Sequence, residues 1–407
     1  MFREFIPGQD RSIWEEFMRF HKLRYIFFAG LAAAWAAPAW AAAPANALNP
    51  KISLIGDFVG QTGTKNQTDD GFAVREIELG FQAEVDPYAK ADVFIGSLDD
   101  KGHAPELEEA YVTLPALPYG IQARGGKFRV NFGRLNGTHS HEYPQVDTPL
   151  VLTSFLGEEG MDSTGVELSR VFNPFGVYTE ATYAVLHDLG DTQTPPNVVD
   201  QVKDVNGNIV NVQAAQDEAT TPQRGRNFAQ VGKVRFYQDI TDTTNLDLGL
   251  SGAVRRPEGL DQRQLAAVDL TFRWKPLAQG VYHSFTWRSE ALYSRNKLVE
   301  TLDAITQKES QPAATVNARG AYSYVEAQPA MRWRFGVRED YFEDPDNRVA
   351  SAPHITRAVS PYITFTLTEF NRFRIQYERK RSPENGTENL GFFQWTIVLG
   401  PHGAHPF

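Results

Sequence analysis

The chain has 407 residues, 42% of them hydrophobic and 22% charged, with 40 basic against 50 acidic side chains and no cysteine. A net charge of -10 argues against a nucleic-acid partner, and the missing cysteines exclude disulfides, thiolate metal sites and cysteine nucleophiles. Beyond the first fifty residues no run approaches the roughly 18 apolar residues of a membrane helix, so the chain spans a membrane as strands or not at all.

In chain order, residues 1–41 read as a signal peptide. Arg19, Lys22 and Arg24 precede an apolar, alanine-rich stretch that ends at Ala39-Trp40-Ala41, the small-residue pattern of a cleavage site. The first seventeen residues carry Glu4, Asp10, Glu15 and Glu16, an unusual leader, which makes Met18 a candidate true start. An inner-membrane anchor is the alternative reading of the same stretch. Removing five basic and four acidic residues with 1–41 leaves 35 against 46, a net charge of -11. Residues 42–50 form a short periplasmic lead, and 51–407 a single domain.

That domain alternates apolar and polar residues with a period of two. In 51–62 Ile52, Leu54, Gly56 and Phe58 share one face and Ser53 and Asp57 the other. In 72–86 Ile77, Leu79, Phe81, Ala83 and Val85 alternate with Glu76, Glu78, Gln82 and Glu84, a polar face too acidic for the inside of a soluble sandwich. Further strands are predicted near 89–98, 107–114, 119–133, 163–171, 175–187, 227–238, 243–255, 263–275, 283–295, 318–327, 330–342, 353–367, 371–380 and 389–399. Connections after even-numbered strands are tight and those after odd-numbered strands long, which predicts an antiparallel transmembrane β-barrel of about 16 strands with short periplasmic turns and long extracellular loops. Phe272 and Trp274, Phe285 and Trp287, Trp333 and Phe335, Phe373 and Tyr377, and Phe393 and Trp395 fall on the apolar faces, as an aromatic girdle would.

The loop at 134–162 has an apolar middle, Pro149 to Phe155, that needs something to pack against. Folding inward as a constriction loop satisfies it and places Glu158, Glu159 and Asp162 at the narrowing. Packing outward on a neighbouring protomer is the competing arrangement. Gly125-Gly126 coincide with a switch of apolar register from Ile121 and Ala123 to Phe128, Val130 and Phe132, which predicts a bulge.

The polar faces segregate by strand number. Glu76, Glu78, Glu84 and Glu109 form an early acidic wall; Arg332, Arg334, Arg338, Arg372 and Arg374 form a late basic one. In a closed barrel strand number is angular position, so the two walls set a field across the lumen. The alternative is a wet wall of mutually paired residues without a part in selectivity. His139, His141 and Glu142 in the loop, and His402 and His405 in the tail, are the candidate zinc ligands, because histidine and carboxylate remain when thiolates are absent. Polar loop residues bonded to backbone are the bland reading of the same positions.

The stretch "GGKFRVNFGRLN" followed by a long loop resembles the equivalent strand and constriction loop of porins in the phosphate-selective O and P family. That resemblance implies a trimeric, water-filled channel of sixteen strands for small anions. "HSHEYPQVD" and the ending "LGPHGAHPF" resemble proteobacterial outer-membrane proteins labelled zinc-regulated. The strand with Phe393, Trp395, Ile397 and Leu399 suits recognition by the barrel insertion machinery, although a tail continues to Phe407.

The expected function is a porin of the Gram-negative outer membrane. It passes small hydrophilic or charged solutes by passive diffusion, selected by pore width and charge, amid outer-membrane lipids and lipopolysaccharide. It is expected to be no enzyme and to need no cofactor, zinc excepted: His139-Ser140-His141 sets hydrolase residue types side by side, but no Gly-x-Ser-x-Gly elbow accompanies them. A channel specialised for divalent metal uptake, and a plugged structural or lipolytic barrel, are the alternatives.

Overall fold

The computed structural model describes residues 50–400, apart from 66–69, 97–104, 191–198, 204–208, 214–227, 258–260, 281, 299–300, 303–308 and 349–353. The leader 1–41, Met18, most of the lead 42–50, and the tail with His402 and His405 lie outside the described residues.

Among the described residues, sixteen of twenty strands form one closed antiparallel barrel. The first seven are β1 (Lys51–Gly63), β2 (Gly71–Asp86), β3 (Ala89–Gly96), β4 (Glu106–Leu117), β5 (Ile121–Arg129), β6 (Asp162–Phe172) and β7 (Tyr178–Leu186). After a separate hairpin, β8 (Val199–Lys203) with β9 (Ile209–Gln213), the wall continues with β10 (Ala229–Thr241), β11 (Thr244–Arg255), β12 (Gln262–Trp274) and β13 (Ser284–Leu298). A second small hairpin, β14 (Thr301–Leu302) with β15 (Glu309–Gln311), precedes β16 (Ala314–Ala330), β17 (Trp333–Glu343), β18 (Ile355–Thr368), β19 (Asn371–Ser382) and β20 (Gly386–Leu399). Closure comes from β1 on β20, in register from Leu54 with Leu399 to Gly63 with Leu390, so the wall leaves no open edge in lipid. Both small hairpins fall in long connections between barrel strands.

One rim carries the tight connections. Two of them, Pro118–Gly120 and Pro174–Gly176, are single turns in which Tyr119 and Phe175 take positive φ of 67° and 58°. Trp274, Trp287, Trp333, Phe335, Phe393 and Trp395 are exposed close to this rim, and they interlock across strands, Phe373 stacking on Trp395 at 5.9 Å and Trp333 meeting Phe365 at 4.7 Å. This is the predicted girdle, with the apolar outer face of the strands above it.

The bulge predicted at Gly125-Gly126 does not occur: β5 pairs with β6 without a slip from Ile121–Arg170 to Arg129–Asp162. Phe128 and Val130 are apolar because they face inward and are sealed beneath the loop, not because the strand changes face. The glycine at 126 has another purpose. Its φ is +138°, and a Cβ there would stand 2.2 Å from the carbonyl oxygen of Ala110. True slips lie elsewhere, at Arg75 opposite β1, between Asp57 and Phe58, and at Glu108 opposite β3, between Phe94 and Ile95.

Candidate functional site

Residues 130–161, between β5 and β6, fold into the barrel, as the inward arrangement of the constriction loop expected. They hold one helical turn at Ser140–Glu142 and a short helix, α1 (Leu150–Leu156). Val151, Leu152, Phe155 and Leu156 of α1 join Leu135, Tyr143 and Met161 in an apolar cluster with Leu186, Val231, Leu265, Leu292 and Ala318 of the inner wall. Gly320 of β16 makes room for the helix, since a Cβ there would lie 2.5 Å from Cγ2 of Val151. The lumen toward the long-loop rim is therefore filled by a hydrophobic core that the loop and the wall build together.

A loop crossing a barrel carries backbone amides and carbonyls that no ladder satisfies, so the wall must supply partners. Most of the predicted basic wall does this work. Arg338, fully buried, donates to both carboxylate oxygens of Asp147, at 3.1 and 2.6 Å, and to its carbonyl at 3.0 Å; it also bonds Asp340 at 2.6 Å and approaches Glu378 at 3.5 Å. Arg374 donates to the carbonyl of Gln145 at 2.7 Å and to Gln394 at 2.5 Å, and Arg372 to the carbonyl of His141. Arg75 reaches the carbonyl of Val146, whose own amide donates to Gln376 at 2.8 Å. The helix α1 has no side-chain cap of its own, and Asp340 accepts from the amide of Leu150 at 3.0 Å instead. Burial opposes ionisation of Asp147, but the Arg338 charge and hydrogen bonds from Arg338 and Gln376 hold its carboxyl below the ordinary aspartate value.

The basic wall is thus corrected. Arg338 and Arg374 clamp the loop, and Arg332 is exposed in the turn between β16 and β17. Arg334 and Arg372 alone of the five line the lumen cavity, which lies beneath the loop toward the short-turn rim and has a volume of about 840 Å³. The loop acids are corrected as well. Glu158 and Glu159 are exposed after Gly157 ends α1, and Asp162 opens β6 in an ion pair with Lys127 at 3.0 Å, so none of the three lines this cavity. Their segment is held by hydrogen bonds to backbone, from Arg129 to the carbonyl of Glu159 at 2.6 Å and from Asn136 to that of Met161 at 2.8 Å.

The cavity keeps the segregation by strand. Its acids are Glu84, Asp92, Glu109, Glu167 and Glu180 on β2 to β7, with Glu142 and Glu326. Its bases are Lys90, Arg124 and Arg129 on the early side, Arg134 on the loop, then Lys233, Arg235, Arg273, Lys275, Arg288, Arg334 and Arg372. Eleven bases against seven acids line it, and Asp247, just behind the lining, offsets one of the four further bases. Several are cross-paired, Arg124 with Glu167 at 3.0 Å and Arg235 with Asp247 at 2.5 Å. Asp247 also holds the loop through Arg134 at 3.1 Å.

Of the acidic wall, Glu84 and Glu109 line the cavity, whereas Glu76 and Glu78 are buried behind the loop with its histidines. His139 lies between Glu78, 2.9 Å from Nδ1, and Glu109, 2.8 Å from Nε2; Glu108 is 3.1 Å from Nδ1. Burial and Arg129 push the imidazole down, but hydrogen bonds to Glu108, Glu109 and Glu78 outweigh them and raise it well above the usual histidine range. His141 faces Glu76 at 3.6 Å, and the donor atoms of Glu76, Glu78, His139 and His141 lie within 4.8 Å of one another. Glu142, the predicted third partner of the histidines, turns to the cavity instead, and Glu76 and Glu78 take its place. Sequence reasoning missed Asp147, Arg75 and Glu108. The adjacent pairs Arg75-Glu76 and Glu108-Glu109 carry a signal, because two neighbouring charges on a strand face one side only at a bulge.

No family model matches the chain. An uncharacterized protein of Aquifex aeolicus (strain VF5) is 28% identical over 359 residues, covering 83% of this chain and 70% of its own length. Solved structures share the fold at very low identity. The anion-selective porin of Comamonas acidovorans superposes with a TM-score of 0.52 at 9% identity, covering 86% of this chain and 99% of its own. The outer-membrane channel DcaP of Acinetobacter baumannii gives 0.51 at 11%, covering 86% and 96%. A loop L8 deletion mutant of OmpT, an outer membrane protein of Vibrio cholerae, gives 0.51 at 8%, covering 86% and 99%. The protein has the fold of an outer-membrane β-barrel.

Proposed function

We propose that the protein is an outer-membrane porin that passes small hydrophilic solutes by diffusion, without chemistry on them, and that it favours anions. The observation that carries this reading is the charged cavity under the inward loop, with seven acids mostly on one side and eleven bases mostly on the other. Such a field orients a polar solute across the lumen, and the positive excess raises the local concentration of anions in spite of the acidic chain total. The fold shared with an anion-selective porin agrees with it. The rim of short turns then faces the periplasm and the long loops the outside. We propose a homotrimer as the assembly, as in the trimer form of Vibrio cholerae OmpT.

The test is single-channel current in a planar bilayer under a salt gradient. Steady conductance with a reversal potential on the anion side is expected. Neutralising Arg273, Lys275 and Arg334 to glutamine, which removes three of the cavity's positive charges, should move that potential toward cations. Absence of conductance refutes the porin, and a cation-selective wild type refutes the sign.

A further inference from the structure

We propose that Glu76, Glu78, His139 and His141 bind a first-row divalent metal ion, zinc by preference, that staples the inward loop to the β2 wall. The donor set is two imidazoles and two carboxylates. Calcium and magnesium ask for oxygen alone, whereas zinc takes this mixture in a closed tetrahedral site. Zinc bonds of about 2.0–2.1 Å place neighbouring ligand atoms roughly 3.3 Å apart. The Nδ1 of His139 and Oε2 of Glu78 are 2.9 Å apart, and the Nδ1 of His141 and Oε2 of Glu76 are 3.6 Å apart.

Three independent features mark the place as built. The slips at Arg75 and at Glu108 flank it on both strands, and each turns an extra side chain inward. Gly96 of β3 lies bare beneath Glu108, where a Cβ would meet the carboxylate at 1.6 Å. Glu109 bonds Nε2 of His139 at 2.8 Å, leaving Nδ1 directed at Glu78; a carboxylate behind a histidine is the partner that orients a metal ligand. Charge points the same way. Glu76, Glu78, Glu108 and Glu109 bring four carboxylates to two imidazoles, and Arg129 answers one of them from 3.9 Å. Glu78 is fully buried and its Oε1 takes no hydrogen bond, a cost that a coordinated cation removes.

Burial also separates this site from a transport station. Glu78 and His139 are 0% exposed, so an ion there is retained; Thr138 and Glu142, beside the histidines, border the cavity and offer it an approach.

The experiment uses the full chain in detergent, stripped with a chelator, reloaded with zinc and desalted, with metal content measured by elemental analysis. Cobalt serves as the spectroscopic probe. One zinc per chain is expected, with the intense visible absorption of tetrahedral cobalt. Glu109→Gln, which leaves all four ligands in place, should weaken binding about 10- to 100-fold, and His141→Ala should abolish the cobalt spectrum. A wild type that retains no zinc overturns the proposal, as does a His141→Ala variant that binds as tightly as wild type. Because the wild type alone decides the first of these, a misfolded variant cannot rescue the idea. Bilayer current is recorded on the stripped and loaded forms in parallel. Steady conductance in either form keeps the porin reading whatever the metal result, and bound zinc in a non-conducting barrel keeps the site without the porin.

Discussion

Replacing Arg338 by glutamine should release the loop while leaving the barrel standing. The guanidinium has no exposure and sits among three carboxylates, Asp147, Asp340 and Glu378. Taking it away leaves those acids buried against one another, and breaking a buried pair from one side costs about 3–5 kcal/mol. At ~1.4 kcal/mol per factor of ten, that is on the order of 10²- to 10³-fold more time with the 145–150 segment detached. Part of this cost falls on the wall, where Asp340 and Glu378 lose their cation, but the backbone ladder from Gly320–Phe342 to Ala327–Phe335 and the pairing with β18 do not involve the loop and hold the barrel together. The assay is amide hydrogen exchange of 145–156 in detergent, read beside unfolding of the barrel and current noise in a bilayer. Faster exchange in that segment, with an intact barrel and a flickering current, is expected. Arg338→Lys keeps the charge but not the two-pronged geometry, and should fall between. If the glutamine variant protects 145–156 as wild type does, Arg338 is not the clamp and the argument fails.

Phe155→Ala removes a fully buried ring of α1 and should loosen the same segment by about 3–5 kcal/mol, visible as proteolytic cleavage within 145–160. Gly320→Val, which collides with Val151 of α1 and also with Phe342 and the Tyr341 carbonyl of the neighbouring strand, should expel α1 and raise the mean conductance while lowering the barrel's unfolding midpoint. Gly126→Ala acts on the wall itself, where the new Cβ meets the Ala110 carbonyl; a loss of about 1–3 kcal/mol in urea unfolding is expected, with little change in the loop. The clamp has a defined pH window. The folded pKa of Asp147 lies below its unfolded value near 3.8, so its contribution is fully present above that value and is lost as pH falls through the lower folded one. The Asp147 contribution should therefore be lost only below about 3.8, read as a rise in channel noise there that an Asp147→Asn variant shows already at neutral pH.

The wall was legible in the sequence because one rule, alternation with a period of two, fixes both strand and face. The inward fold of 134–162 was legible too, since Pro149 to Phe155 is an apolar segment that water cannot accommodate. What the residues do to one another across the lumen was not. Arg334 and Arg338 occupy equivalent positions on one face of β17, yet Arg334 lines the cavity and Arg338 is sealed under Asp147. The difference is made by the height at which the loop crosses, and no local pattern carries that height. Phe128 misled for the same reason: an apolar side chain on a barrel strand reads as lipid-facing unless a folded loop supplies an apolar lumen.

The two ends of the loop are held by opposite chemistries. On the β17 to β19 side, arginines donate to loop carbonyls and to Asp147; on the β2 to β4 side, four carboxylates receive two loop histidines. Charges sealed under these attachments are withdrawn from the field in the lumen, whereas Arg372 both holds the loop and lines the cavity. The early acids lose Glu76 and Glu78 to the histidines, and the late bases lose Arg338 and Arg374 to the loop backbone. Arg273, Lys275 and Arg288 on the late wall stay on the cavity. These losses cancel in charge, so a chain with ten more acids than bases lines its cavity with four more bases than acids because of where the strands place their charges. Net composition of the chain therefore does not fix the charge of its lumen.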